Sequence, residues 1–156
     1  MRSKRLCSHV WSTELPDGAL YQLTDQILIA SPQFCLQQMA GGSSIARRAA
    51  TGMEICGGYA RSPRARGGFH KRPPLVTVDD LIAHFEENHG YGARRAREAL
   101  AYVVEGSRSP METVVVLLFT LPVELGGCGL PMPRLNCRIE IPPSLQAALG
   151  EALPHG

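Results

Sequence analysis

Apolar positions recur along this chain in short runs separated by clear breaks, and the breaks mark out the elements. Val10–Trp11, Ala19–Leu23 and Ile27–Ala30 read as short strands. Thr24-Asp25 reads as a tight turn between the last two, which predicts a β-hairpin. Ser31-Pro32 then opens a helix with Ser as N-cap and Pro at the first helical position; Phe34, Cys35, Leu36 and Met39 form its apolar side, and Gly41-Gly42 stops it. A second helix starts near Ser43 or Ser44 and ends before Gly57-Gly58. Its Ile45, Ala49, Met53 and Cys56 recur at helical spacing, with Gly52 as an internal weak point.

Residues 60–74 show no period and read as an exposed basic loop. Thr77 with Asp80 is an N-terminal capping signal, here with Asp for the usual Glu or Gln. Val78, Leu81, Ile82 and Phe85 make the buried face of the helix that follows, and Gly90 closes it. A helix over Ala93–Val104 turns Ala96, Leu100, Val103 and Val104 inward and Arg94, Arg95 and Arg97 outward, ending at Gly106-Ser107. Another runs from Pro110 to about Leu121. Gly126 to Pro133 is rich in turn residues, Arg134 to Ile141 reads as extended, and Ser144 to Leu153 as a short terminal helix.

With 44% hydrophobic and 19% charged residues over 156 positions, the chain has the makings of a packed core, so it is not a disordered tail. The longest apolar run, Val114 to Leu121, is interrupted by Thr120 and stopped by Pro122, well short of the ~20 residues of a membrane span. Basic residues at the start are followed by Ser8, His9, Ser12, Thr13 and Glu14 in place of an apolar signal core. A cytoplasmic protein without a membrane partner is therefore expected. Five cysteines without a CxxC pair point to reduced thiols rather than a zinc site or a disulfide framework.

Net charge is only +2, so any anion-binding function must come from local clustering. Such a cluster exists: Arg61, Arg64, Arg66, Lys71 and Arg72 with no acid among them, and Phe69 and His70 interleaved as stacking groups. Arg94 and Arg97, one helical turn apart, are candidates to extend it along a phosphate backbone. His84 and His89 are five residues apart and point to different sides of a helix, unlike the pair of a zinc-binding HExxH. Ser109 and Glu112 form a capping box at the start of the Pro110 helix.

Two stretches carry a resemblance. Glu14-Leu15-Pro16 ahead of the hairpin, with Ser31-Pro32 opening a helix, resembles the N-terminal region of bacterial proteins related to the AbiEi-like abortive-infection antitoxins. Ser109-Pro110-Met111-Glu112-Thr113 followed by Val114-Val115-Val116-Leu117-Leu118-Phe119 resembles the opening helix of a Vsr-like, restriction-endonuclease-like domain. The resemblance covers most of residues 8 to 143. It implies an α+β chain: an N-terminal hairpin with helices over residues 1–106, then the incomplete start of a nuclease-like α/β domain over 107–156. In a complete nuclease of that kind, Glu112 would be a catalytic carboxylate beside a magnesium ion.

The remaining pattern is missing. Lys4 and Lys71 are preceded two positions earlier by Arg2 and Phe69, so there is no acid-x-Lys triplet, and Asp17, Asp25, Asp79 and Asp80 all lie before Glu112. The expectation is a truncated, non-catalytic relative of the abortive-infection or toxin–antitoxin kind, with no cofactor of its own. Its expected partner is DNA, a cognate protein or a second copy. The alternatives are a fragment or subunit of a magnesium-dependent endonuclease, and a protein-interaction module with no site.

Overall fold

A computed structural model describes residues 10–138 together with Glu140, Pro142 and Leu145. Strands β1 (Leu20–Thr24) and β2 (Ile27–Ala30) precede helices α1 (Pro32–Ala40) and α2 (Ile45–Ile55). Short strands β3 (Tyr59–Arg61) and β4 (Phe69–Lys71) follow, then α3 (Val78–Glu87), α4 (Ala93–Leu100) and α5 (Pro110–Thr120). The chain is α+β, with an N-terminal hairpin followed by helices. The two hairpins form separate two-stranded antiparallel sheets. Among the described residues no helix is long and apolar enough to cross a membrane.

Local chemistry explains the helix starts. Ser31, Ser44, Thr77 and Ser109 each accept a hydrogen bond from the backbone N–H three residues on, an arrangement worth about 1 kcal/mol per cap. Thr77 and Asp80 complete a reciprocal box, with the Thr77 N–H donating to Asp80 Oδ2 at 2.9 Å. The Thr77 hydroxyl and amide hold the Asp80 carboxyl below its ordinary range.

The core is helical. α2 is central and packs on α1, α4 and α5, while α3 closes on α4. Leu36, Ala40, Ala49, Met53, Leu81, Phe85, Ala96, Val116 and Leu117 are buried together. Gly52 is in α2 because of that packing: a Cβ there would lie 2.7 Å from Val103 Cγ2, so its absence lets the segment after α4 press onto the helix.

Several expectations are corrected. Val10–Trp11 is not a strand; Trp11 instead docks by its ring, edge-on to Phe34 (centroids 4.8 Å apart) and Tyr91 (6.4 Å). In α1 the buried residues are Phe34, Leu36, Gln37 and Ala40, whereas Cys35 and Met39 face out. A buried glutamine is tolerated because its amide is engaged at both ends. Gln37 Nε2 donates to the Tyr91 carbonyl at 3.1 Å, and its Oε1 accepts from Asn88 Nδ2 at 2.9 Å. The aperiodic basic loop contains hairpin β3–β4, whose three-residue strands are too short to show alternation. α3 stops at Glu87 rather than near Gly90, and Ile82 is exposed on its outer side. α4 stops at Leu100 rather than Val104; Val103 is still buried, carried inward by turns at Tyr102 and Val103. Arg134 to Arg138 forms no strand; Ile141 and most of the expected helix at Ser144–Leu153 lie outside the described residues.

α5 is inverted relative to its composition. It buries Thr113, Val116, Leu117 and Thr120, and leaves Met111, Val114, Val115, Leu118 and Phe119 exposed. The buried hydroxyls are satisfied: Thr113 Oγ1 lies 2.8 Å from the Tyr59 hydroxyl and 2.9 Å from Ser107 Oγ, and Thr120 donates to the Val116 carbonyl.

His84 joins the Gln37–Asn88 cluster, with Nε2 3.4 Å from each amide. Burial pushes its imidazole below the ordinary value of 6.5. The fold therefore favours the neutral ring, and the unfolded chain binds the extra proton as pH falls below 6.5. Stability is full above that pH and is lost as pH drops through 6.5 and on through the lower folded value. In urea titrations the unfolding midpoint is expected to decline below pH 6.5, and His84→Gln is expected to flatten the decline. Equal slopes in the two proteins would show that His84 is not its source.

Candidate nucleic-acid interface

Hairpin β3–β4 is held from below by three side chains. The Tyr59 ring is buried, bonded through its hydroxyl to Thr113 and edge-on to Phe69 at 6.1 Å. Burial raises the Tyr59 phenol above its ordinary value, so the hydroxyl stays protonated as part of this network. Arg72 folds under the hairpin and closes the end of α2. Its guanidinium donates to the carbonyls of Glu54 (2.6 Å), Gly57 (3.3 Å) and Pro73 (2.6 Å). The third anchor is Glu54, whose two carboxylate oxygens accept from the Arg61 N–H (2.7 Å) and the Arg61 guanidinium. Gly57 makes the sharp entry possible, since a Cβ there would lie 2.5 Å from the Met53 carbonyl oxygen and 2.8 Å from that of Ser107.

The strands pair Tyr59 with Lys71, Ala60 with His70 and Arg61 with Phe69. The connecting turn is tied by Ser62 N–H to the Gly68 carbonyl and Gly68 N–H to the Ala65 carbonyl. Arg64, Arg66, His70 and Lys71 are all exposed on this frame. Among the described residues no hydrogen bond or ion pair engages the side chains of Arg64, Arg66 or Lys71.

The structure thus divides the expected cations by what they touch. Arg64, Arg66 and Lys71 are carried by one braced hairpin. Arg61 is neutralised by Glu54, and Arg72 is spent on carbonyls beneath the hairpin. Arg94 and Arg97 belong to α4, whose main packing partners are α1, α2 and α3. Arg94 pairs with Glu98 at 3.0 Å on the surface. Arg97 donates to the Phe85 carbonyl, closing the C-terminal end of α3.

Sequence reasoning missed Arg108. The Ser107 carbonyl accepts the Gly58 N–H at 2.7 Å, which brings exposed Arg108 beside the base of the hairpin. Nothing local signals a contact across that much chain.

Glu112 has a structural task. Its Oε2 accepts the Arg108 N–H at 2.9 Å and Asn136 Nδ2 at 3.0 Å, and the same Asn136 amide donates to the Gly106 carbonyl. The carboxylate therefore fixes the approach to α5 and draws the later chain back onto it. Among the described residues no three His, Cys, Asp or Glu side chains gather at one point.

A separate open cleft of about 880 Å³ lies between Trp11, Met39, Arg47 and Tyr91 and contains none of the expected site residues. No protein-family model, curated protein or solved structure matches this chain.

Proposed function

We propose that this protein is a cytoplasmic, non-catalytic DNA-binding protein of the abortive-infection or toxin–antitoxin kind, which grips the phosphate backbone with hairpin β3–β4. One observation carries this reading. Arg64, Arg66 and Lys71 stand on a braced hairpin, and among the described residues no carboxylate is paired to them, while neighbouring arginines are consumed by the fold. Unpaired cations on a rigid element displace counterions from a duplex without a large ordering cost. Exposed His70 supplies a further polar contact. The engagement of Glu112 by Arg108 and Asn136 supports a positioning role for that carboxylate rather than a reactive one.

The test is fluorescence anisotropy with a labelled duplex across a salt series. Replacing Arg64, Arg66 and Lys71 together by alanine is expected to weaken binding at least ~10-fold at low salt and reduce the slope of log K against log salt by about 3. Arg72→Ala serves as the contrast: it should cost roughly 1–3 kcal/mol of stability and leave that slope unchanged. Wild-type protein with no duplex affinity, or a triple variant that binds like wild type, would remove the hairpin from this role. A second reading, association with a protein, is favoured by a different observation, the uncharged outer side of α5.

A further inference from the structure

We infer that two copies of this chain associate through α5, packed antiparallel across Val114 and Val115. Met111, Val114, Val115 and Leu118 recur at the spacing of one helix face, with Phe119 at its edge, and they are 41–69% exposed. The one charged residue of α5, Glu112, is held off this stripe by Arg108 and Asn136. Beyond the helix the chain turns back, with the Leu130 N–H donating to the Phe119 carbonyl at 2.8 Å, which places exposed Leu130 beside the stripe. With Leu130 the exposed area of these side chains comes to roughly 600 Å², at the upper end of what a monomer usually shows in one patch and approaching the ~800 Å² that each partner gives to a standard interface.

The order of residues favours a second copy over an unrelated partner. A two-fold interface must be complementary to itself. Read from either end, the stripe runs large, small, small, large: Met111, Val114, Val115, Leu118. Turned end for end, it sets Met111 against Leu118 of the other copy and Val114 against Val115. The small central residues let the helix axes approach, and the long outer ones interdigitate. A parallel pair would instead bring both Glu112 carboxylates to one end and align the two helix dipoles side by side. The antiparallel pair separates them.

Sedimentation velocity of the full chain across a concentration series is the experiment, run on wild type, Val114→Lys, Val115→Glu and an equimolar mixture of the two variants. Wild type is expected to be a dimer at tens of micromolar. Each single variant is expected to weaken association by at least about 100-fold, because a charge is buried unpaired at the centre. The mixture should regain dimer, since the antiparallel register sets the introduced lysine of one variant against the introduced glutamate of the other. Both positions are exposed in the single chain, so circular dichroism and urea unfolding should show the variants folded like wild type. A monomeric wild type overturns the inference, including one that dimerises only after removal of residues 143–156, which would assign the face to the chain's own end. So does an assembly that both substitutions leave intact, or one that grows without fixed stoichiometry.

Discussion

Phe85→Ala is expected to lower the free energy of unfolding by about 3–5 kcal/mol. Phe85 is fully buried in α3 among the core residues of the helices. Its own carbonyl receives the Arg97 guanidinium, so ring and backbone together fasten α3 to α4. Truncation leaves a ring-sized void that the surrounding alanines of α4 (Ala93, Ala96 and Ala99) are too small to fill. Natural domains hold only ~5–15 kcal/mol in total, so this one substitution removes a large share. Urea unfolding followed by fluorescence of the single tryptophan, Trp11, which is packed on Phe34 and Tyr91, reads the loss directly. Phe85→Leu should recover most of it. A loss below about 1 kcal/mol for the alanine variant would mean that the site collapses, and α3 with it, at little cost.

Gly92→Ala is the second large effect, through backbone rather than volume. Gly92 opens α4 at φ +85°, a left-handed conformation that side chains disfavour, and a Cβ there would lie 2.2 Å from the Gln37 carbonyl oxygen. Both penalties act at once: about 1–2 kcal/mol for the conformation, and further strain because the obstructing atom is backbone of α1. The expected loss is roughly 2–4 kcal/mol, measured by the same titration. Relief by displacement would break the bond from Gln37 to the Tyr91 carbonyl and expose the cluster it shares with Asn88 and His84. A Gly92→Ala protein as stable as wild type would show that this turn can draw away from α1 without penalty.

What the sequence shows legibly is what short-range chemistry decides. Ser31, Ser44, Thr77 and Ser109 announce their helices because each cap closes within three residues, and β2 is bounded by its own composition. Gln37 is different. By pattern it belongs outside, and it is buried because Asn88 and Tyr91, more than fifty positions away, supply its partners. The same holds for the arginines. Arg64, Arg66, Arg72 and Arg97 look alike in the sequence, and the difference lies in whether carbonyls from other elements reach them. Hairpin β3–β4 leaves no pattern to read because its strands are anchored by Tyr59 reaching Thr113, a distant contact, rather than by alternation. Ser109 is legible as a cap, but the expected capping box is only half formed: the Glu112 carboxylate takes the Arg108 N–H in place of the Ser109 N–H and also tethers Asn136, neither of which the sequence signals.

The buried threonines of α5 have a consequence for how uniquely this chain chooses its structure. A helix apolar on every side gains nearly as much by burying one flank as another, so solvent exclusion alone leaves its roll about its own axis undetermined. Here the roll is fixed by a hydroxyl relay: Thr113 must meet Tyr59 and Ser107 together, and only one angle permits it. Valine at 113 would add apolar surface to the interior while leaving the buried Tyr59 hydroxyl without its partner and erasing that angular reference, although Ser107 keeps its bond to the Ser109 carbonyl. In this helix greasiness supplies the adhesion, and polarity supplies the address.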